Sequence, residues 1–214
     1  MEPFVRHRGK LATLDRANVD TDQIIPKQFL KSIRRTGFGP ALFFDWRYLP
    51  DGSLDPAFEL NSPRFAEATI LAVRNNFGCG SSREHAVWAI QQYGFRVVLA
   101  PWQVRDGERV AAFAEIFRNN AIRNGLLTVE LAEAEVDEIF DAVARHEGLE
   151  ATVDLEACAV TLHTPEPKVF TFSIDPLARH TLLEGLDEVR QTLQWAAEIG
   201  EFERRHDAQM PSSC

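Results

Sequence analysis

The segment Asn75–His85 contains the residue types that most directly suggest chemistry. Two glycines, two serines and an arginine lie between a short apolar run and a helical pattern. Glycine-rich backbone at the start of a helix presents free N–H groups and the positive end of the helix dipole, which favour a carboxylate or a phosphate. Arg83 adds a planar guanidinium that can hold a carboxylate through two hydrogen bonds. The pattern therefore indicates a binding loop for a small anion.

Ser81 and Ser82 allow two interpretations of this loop. A serine hydroxyl surrounded by N–H and guanidinium donors can be stabilised as an alkoxide, because these donors favour its charged form, and it can then act as a base. The structural alternative is that either serine caps the helix while the glycines turn the chain. Nucleotide binding is disfavoured, because G-x-G-S-S-R is not the dinucleotide fingerprint and no P-loop lysine follows it.

The elements around the loop predict an α/β fold. Thr69–Val73 and Val97–Ala100 are short apolar runs typical of buried strands. Between them, Glu84–Tyr93 has apolar residues at helical spacing, and Gly94 follows as a plausible C-cap. The order of strand, loop, helix and strand favours a right-handed parallel crossover.

The remaining segments predict a single domain over residues 1–203, with a helical region at 175–203 and a frayed polar tail at 204–214. Gly125, Gly148 and Gly185 are expected to end or interrupt helices, and Asp175 with Pro176 to begin one. The other predicted elements are a strand at Leu11–Leu14, a turn at Asn18–Asp22, a helical turn at Gln28–Ile33, irregular structure at Arg35–Pro63, helices at Arg109–Asn124 and Glu133–His146, and strands at Ala151–Leu162 and Val169–Ile174, with a possible hairpin at Thr164–Lys168.

Composition excludes several classes of function. The net charge of -9 is spread along 214 residues, which argues against a nucleic-acid partner. No apolar run is long enough to cross a bilayer, so we expect a cytoplasmic protein. The three cysteines, Cys79, Cys158 and Cys214, are far apart, unlike the closely spaced thiolates of a cluster-binding chain. We therefore expect no metal site in this chain.

Two separate motifs of this sequence resemble segments of the small subunits of isopropylmalate isomerase, in the aconitase superfamily, and they occur in the same order. The first is Asn18–Pro26, which reads N-V-D-T-D-Q-I-I-P, and the second is Asn75–His85, which reads N-N-F-G-C-G-S-S-R-E-H. The similarity runs from about Phe4 to Trp195. The fold that it implies is the aconitase-type swivelling β/β/α domain, a mixed sheet covered by helices.

The resemblance implies a hydro-lyase subunit that interconverts 2-isopropylmalate and 3-isopropylmalate through isopropylmaleate, in leucine biosynthesis. It also implies a large subunit that carries a four-iron four-sulfur cluster. This chain is expected to be active only together with that large subunit. By similarity, Ser81 is the base and Asp22 manages proton and hydroxyl positions. Ser82 and Arg83 hold a substrate carboxylate, and either Arg34 or Arg35 pairs with another.

Two alternatives to this function stay open at this point. A related hydro-lyase acting on homoaconitate, citraconate or 2-methylmalate differs only in a few side chains around the variable end of the substrate. A non-catalytic module that binds an anion or regulates the large subunit would use the same loop. One departure from the family supports the second alternative. About ten extra residues, within Trp102–Ala112, interrupt the family's usual A-P-S-F-A-D-I-F run between Pro101 and Phe113, and the serine of that run has no clear equivalent here. We expect these residues to form a surface loop or an added helical turn. A second departure is Val87, where the family often has proline.

Overall fold

A computed structural model describes residues 1–31, 35–193 and 195–207. Arg34 lies outside these ranges, as does the end of the predicted tail, including Cys214. No helix of the described residues is long and apolar enough to span a membrane.

Within the described ranges, eight strands form one mixed sheet, in which a parallel half adjoins an antiparallel half. In the parallel half β1, β2, β3 and β5 are neighbours in the order β5-β3-β2-β1, and in the antiparallel half β1 continues through β6 and β7 to β8. β4 pairs with the C-terminal end of β3 and forms a hairpin with it. The strands are β1 (Arg6–Leu14), β2 (Ala68–Val73), β3 (Val97–Arg105), β4 (Glu108–Val110), β5 (Leu127–Ala132), β6 (Glu150–Asp154), β7 (Ala159–Leu162) and β8 (Lys168–Thr171).

Helices cover both faces of this sheet, and short 3-10 helices fill the segment between α1 and β2. The α-helices are α1 (Thr21–Ile24), α2 (Phe44–Arg47), α3 (Glu84–Tyr93), α4 (Glu115–Asn124), α5 (Glu133–Arg145), α6 (Pro176–Leu183), α7 (Glu188–Leu193) and α8 (Ala196–Asp207). The 3-10 helices are Lys27–Lys31, Gly39–Ala41, Glu59–Asn61 and Pro63–Phe65.

The alternation of side chains along β2 divides the core in two. Leu71 and Val73 pack with the first core, which α3, α4 and the irregular segment enclose. Ile70 and Ala72 pack with the second core, to which α5 and the antiparallel strands contribute. Because both faces are covered, β2 has no polar face, which explains why it reads as a continuous apolar run.

The predicted α/β class and the parallel crossover are confirmed. β2 and β3 are parallel neighbours, and the helix between them has the predicted bounds, Glu84–Tyr93. Gly94 follows with φ 129, a backbone conformation that favours glycine. Asp175 accepts hydrogen bonds from the first N–H groups of α6, and Pro176 begins that helix, as predicted.

The predictions for the extra residues and for the helix after them were wrong. Trp102–Ala112 is neither a surface loop nor a helical turn, because β3 and β4 form a hairpin there. Asp106 has φ 54 and Gly107 has φ 83, the conformation of a two-residue Asp-Gly hairpin turn. Consequently α4 begins at Glu115 rather than at Arg109.

Other boundaries also differ from the predictions, and the strand expected at Val169–Ile174 is β8, which ends at Thr171. The expected strand Ala151–Leu162 is a hairpin of β6 and β7, and Cys158 with φ 49 lies in the turn between them. β1 begins at Arg6, five residues before the predicted start at Leu11. α8 continues to Asp207, so residues 204–207 of the predicted frayed tail are helical.

Candidate active site

The two sequence motifs meet at one edge of the sheet. β1 and β2 are parallel neighbours, with Leu14 opposite Val73, so the segments that follow them leave from the same edge. The Gly78 N–H donates to the Val19 carbonyl at 2.8 Å, and the Thr21 N–H donates to the Cys79 carbonyl at 2.9 Å. Residues 19–21 therefore lie beside the glycine-rich loop like a short extra strand.

Gly78 allows the loop to pack closely against α4. Its φ is +75, and an added Cβ would lie 2.2 Å from Cγ of Phe117. Phe117 is only 2% exposed, so this ring belongs to the core and has little freedom to move away. Only glycine both adopts this positive φ readily and lacks the Cβ that would collide with the Phe117 ring.

Ser81 and Ser82 lie at the exposed end of the loop, on the rim of a depression of about 220 Å³. Among the described residues, neither serine Oγ has a hydrogen-bond partner, and the N-cap of α3 is Arg83, without a side-chain capping bond in the described chain. The structural alternative, in which one serine caps this helix, is therefore wrong. The depression is lined by Thr21, Gly78, Gly80, Ser81, Ser82, Arg83, Ala114, Glu115, Ile116 and Phe117.

Arg83 and Asp22 form an ion pair that links the two motifs. Nη1 of Arg83 donates to Oδ1 of Asp22, while Nζ of Lys27 lies 3.7 Å from the other carboxylate oxygen. The hydrogen bond from Arg83 lowers the pKa of the Asp22 carboxyl, and the positive charges of Arg83 and Lys27 lower it further. The Arg83 side chain is only 10% exposed, so the carboxylate of Asp22 holds a nearly buried guanidinium in one orientation.

The structure does not bring Arg35 to this depression. Its guanidinium lies 5.8 Å from the centre of the Trp88 ring, and its carbonyl accepts a hydrogen bond from Gln92. The His85 ring packs against Phe38 and Trp88 at centroid distances of 5.1 and 4.7 Å, which indicates a structural role. The other candidate arginine, Arg34, lies outside the described residues.

Two features of the site were not predicted from sequence. Thr21 is 2% exposed, and its Oγ1 donates to the Ser81 carbonyl at 2.7 Å. In the sequence, only the position of Thr21 between Asp20 and Asp22 indicated that it could belong to the site. Ala114–Phe117 forms one wall of the depression, because Phe77 pairs with Phe113 in an isolated β-bridge. That long-range pairing has no local sequence signature.

The described residues do not fit the ligand set of an iron–sulfur cluster. Residues 1–31, 35–193 and 195–207 contain no group of three or more His, Cys, Asp or Glu side chains placed to hold a metal ion. Burial raises the pKa of the Cys79 thiol, and the charge of Asp20 raises it further, which disfavours the thiolate that a metal requires. Cys158 packs against the second core, whereas the Cys79 loop borders the first.

Comparisons with known proteins agree along the chain. The family model for the aconitase C-terminal domain matches residues 1–134. A model described as LeuD_N matches residues 137–176, and a model for the C-terminal domain of the 3-isopropylmalate dehydratase small subunit matches residues 191–211.

One curated relative is the 3-isopropylmalate dehydratase small subunit of Desulforapulum autotrophicum, which is 53% identical over 210 residues and 98% of each chain. Among solved structures, 3-isopropylmalate dehydratase (leuD) from Methanocaldococcus jannaschii superimposes with a TM-score of 0.64 at 25% identity, covering 92% of this chain and 98% of the other.

Proposed function

The chain belongs to the family of 3-isopropylmalate dehydratase small subunits, and we propose that it contributes the base and a carboxylate site to this two-subunit hydro-lyase. The enzyme removes water from 2-isopropylmalate to form isopropylmaleate and adds it back to form 3-isopropylmalate, in leucine biosynthesis. A relative that is 53% identical over nearly the whole chain favours this substrate over those of the sister hydro-lyases.

The position of Ser81 supports its role as the base. Its hydroxyl has no hydrogen-bond partner among the described residues, it is exposed, and it borders the part of the loop where a substrate can approach both motifs. The backbone N–H groups at the start of α3 and the guanidinium of Arg83 favour a negative charge on Oγ. As an alkoxide, Ser81 takes the proton from the carbon next to a carboxylate, the carbon–carbon double bond forms, and hydroxide leaves the neighbouring carbon.

Arg83 and Ser82 form the carboxylate site in this proposal. The proton that Ser81 removes is weakly acidic, so negative charge develops on the adjacent carboxylate and must be stabilised there. Arg83 is held by Asp22 through one of its guanidinium nitrogens, which leaves its other N–H groups to bind the substrate. This local positive charge also compensates for the long-range repulsion of an anion by a chain of net charge -9.

The rest of the site belongs to the assembled enzyme. We place the four-iron four-sulfur cluster of this superfamily on the large subunit, because the described residues of this chain do not offer its ligands. Arg34 and Arg35 remain candidates for pairing with the second substrate carboxylate once the two subunits have closed. We also place the complex in the cytoplasm.

Hydration of isopropylmaleate by the assembled enzyme tests the proposal. The chain is reconstituted anaerobically with a cluster-loaded large subunit, and the ultraviolet absorbance of isopropylmaleate is followed, with citraconate as the competing substrate. Ser81→Ala is expected to lower kcat by roughly 10²- to 10⁴-fold while the subunits still associate. Ser53→Ala, a change at another exposed serine, controls for handling of the complex and is expected to leave kcat unchanged.

Several results would contradict the proposal. Full turnover by Ser81→Ala would show that Ser81 is not the base. A preference for citraconate would assign the chain to a sister enzyme, and absence of turnover despite complex formation would favour a module that only binds an anion.

A further inference from the structure

Thr21, a nearly buried residue, holds the backbone of the glycine-rich loop. Its Oγ1 donates to the Ser81 carbonyl at 2.7 Å, and its own N–H donates to the Cys79 carbonyl at 2.9 Å. The residue is 2% exposed, so water has little access to this hydroxyl. One threonine therefore fixes two carbonyl groups of the loop, on either side of Gly80.

The hydrogen bond to Ser81 also determines where the next N–H points. The C=O and N–H groups of a trans peptide point in opposite directions, and the described chain contains no cis peptide bond. Because the Ser81 carbonyl is directed at Thr21, the N–H of Ser82 is directed away from Thr21. Ser81 and Ser82 are exposed, and both line the depression together with Thr21.

We propose that Thr21 is a positioning residue, which orients the Ser81–Ser82 peptide so that the Ser82 N–H donates to the substrate carboxylate. The proposal rests on the function proposed above, in which this carboxylate gains negative charge as Ser81 takes the proton. A fixed N–H group stabilises that charge without reorganisation, so its contribution is larger in the transition state than in the bound substrate. Thr21 itself does not touch the substrate.

Removing the hydroxyl is expected to release this peptide. Valine has the shape of threonine but no donor, so in Thr21→Val the Ser81 carbonyl faces a methyl group and gains by turning toward water. The Ser82 N–H turns with it, since both groups belong to one rigid plane. Thr21→Ser retains the donor and is expected to retain the orientation of the peptide.

Steady-state kinetics of the complex with the large subunit test the inference. Thr21→Val is expected to lower kcat by about 10²-fold with little change in KM, as expected when a group that acts in the transition state is misplaced. Thr21→Ser should recover most of the loss. The matched control is Thr152→Val in β6, where a threonine that is 4% exposed has a hydrogen bond of 2.8 Å to His163. This control should leave kcat unchanged.

The outcomes separate this inference from the proposed function. If Ser81→Ala is inactive but Thr21→Val keeps kcat within about 3-fold, Thr21 does not position the donor and only the inference fails. An equal loss in Thr152→Val, or no recovery in Thr21→Ser, would likewise overturn it. If Ser81→Ala retains full activity, the proposed function fails first. Thr21→Ala provides a second hydroxyl-free variant should the valine variant not fold.

Discussion

Substitution of Gly78 by alanine tests whether the glycine-rich loop depends on close packing against α4. Gly78 has φ +75, where an L-residue costs roughly 1–2 kcal/mol. The new Cβ would also lie 2.2 Å from Cγ of Phe117, and such overpacking of a core typically costs about 1–3 kcal/mol. Together we expect the free energy of unfolding to fall by about 2–5 kcal/mol.

The assay is urea unfolding of the purified chain, with thermal unfolding as a second measurement. For a chain of this length, each kcal/mol lowers Tm by about 2–4 °C, so the expected decrease is about 4–20 °C. Gly52→Ala is the matched control. Gly52 has φ +83 in a surface turn, and within the described chain an added Cβ there meets no heavy atom within 4 Å. Gly52→Ala should therefore lower the free energy of unfolding only by the cost of the backbone conformation, roughly 1–2 kcal/mol.

The difference between the two variants measures the contact with Phe117. Equal losses for Gly78→Ala and Gly52→Ala would refute the argument, because they would show that the Phe117 ring yields without cost. In the assembled enzyme, Gly78→Ala should also lower kcat, since the displaced loop carries Ser81. Gly52→Ala should not affect turnover.

Two further predictions concern charge. Asp22→Asn removes the negative charge that pairs with Arg83, and we expect kcat/KM to fall by about 10- to 100-fold in the isopropylmaleate assay, because a neutral amide holds the guanidinium less firmly. Unchanged kcat/KM would show that Arg83 is oriented without the charge of Asp22. Burial, and then the charge of Arg96, lower the pKa of His7 from 6.5. The unfolded chain therefore binds this proton at a higher pH than the folded chain, so the free energy of unfolding should decrease as pH falls below 6.5. His7→Gln should lose that part of the pH dependence in urea unfolding, and an identical pH dependence in the variant would contradict the assignment.

Local chemistry made some elements predictable from sequence. The helix Glu84–Tyr93 has apolar spacing inside and a glycine after its last residue, so its bounds follow from neighbouring residues alone. The same holds for α6, where Asp175 supplies the cap and Pro176 has a backbone angle suited to the first turn. These signals act within a few residues and need no tertiary contact.

Other features depend on contacts that a local pattern does not contain. The helical spacing after Arg109 predicted a helix, but β4 pairs with β3 through the Asp106–Gly107 turn, and this pairing overrides the spacing. Arg35 shows the limit for site residues. The resemblance implied a place for Arg35 at the site, whereas its carbonyl accepts a hydrogen bond from Gln92 and its guanidinium lies 5.8 Å from the centre of the Trp88 ring, both contacts with α3.

The arrangement of three parallel strands explains how distant motifs form one site and why the extra hairpin is compatible with it. Asp22 and Arg83 are 61 positions apart, yet they follow neighbouring strands, β1 and β2, and so meet at one edge. The third neighbour, β3, leads into the hairpin, and the chain then returns to this edge. There the Phe77 N–H donates to the Ala112 carbonyl at 3.0 Å, and the Ala114 N–H donates to the Phe77 carbonyl at 3.1 Å.

These two bonds fix the wall that follows the hairpin. Because β3 is held by β2 before the hairpin and the chain is held by Phe77 after it, the length of the intervening segment does not determine where Ala114–Phe117 lies. Insertion of residues between two fixed points changes the surface that they cover but leaves both points in place. The positions of the glycine-rich loop and of Ala114–Phe117 are therefore independent of the hairpin, which is why the departure at Trp102–Ala112 does not argue against the proposed function.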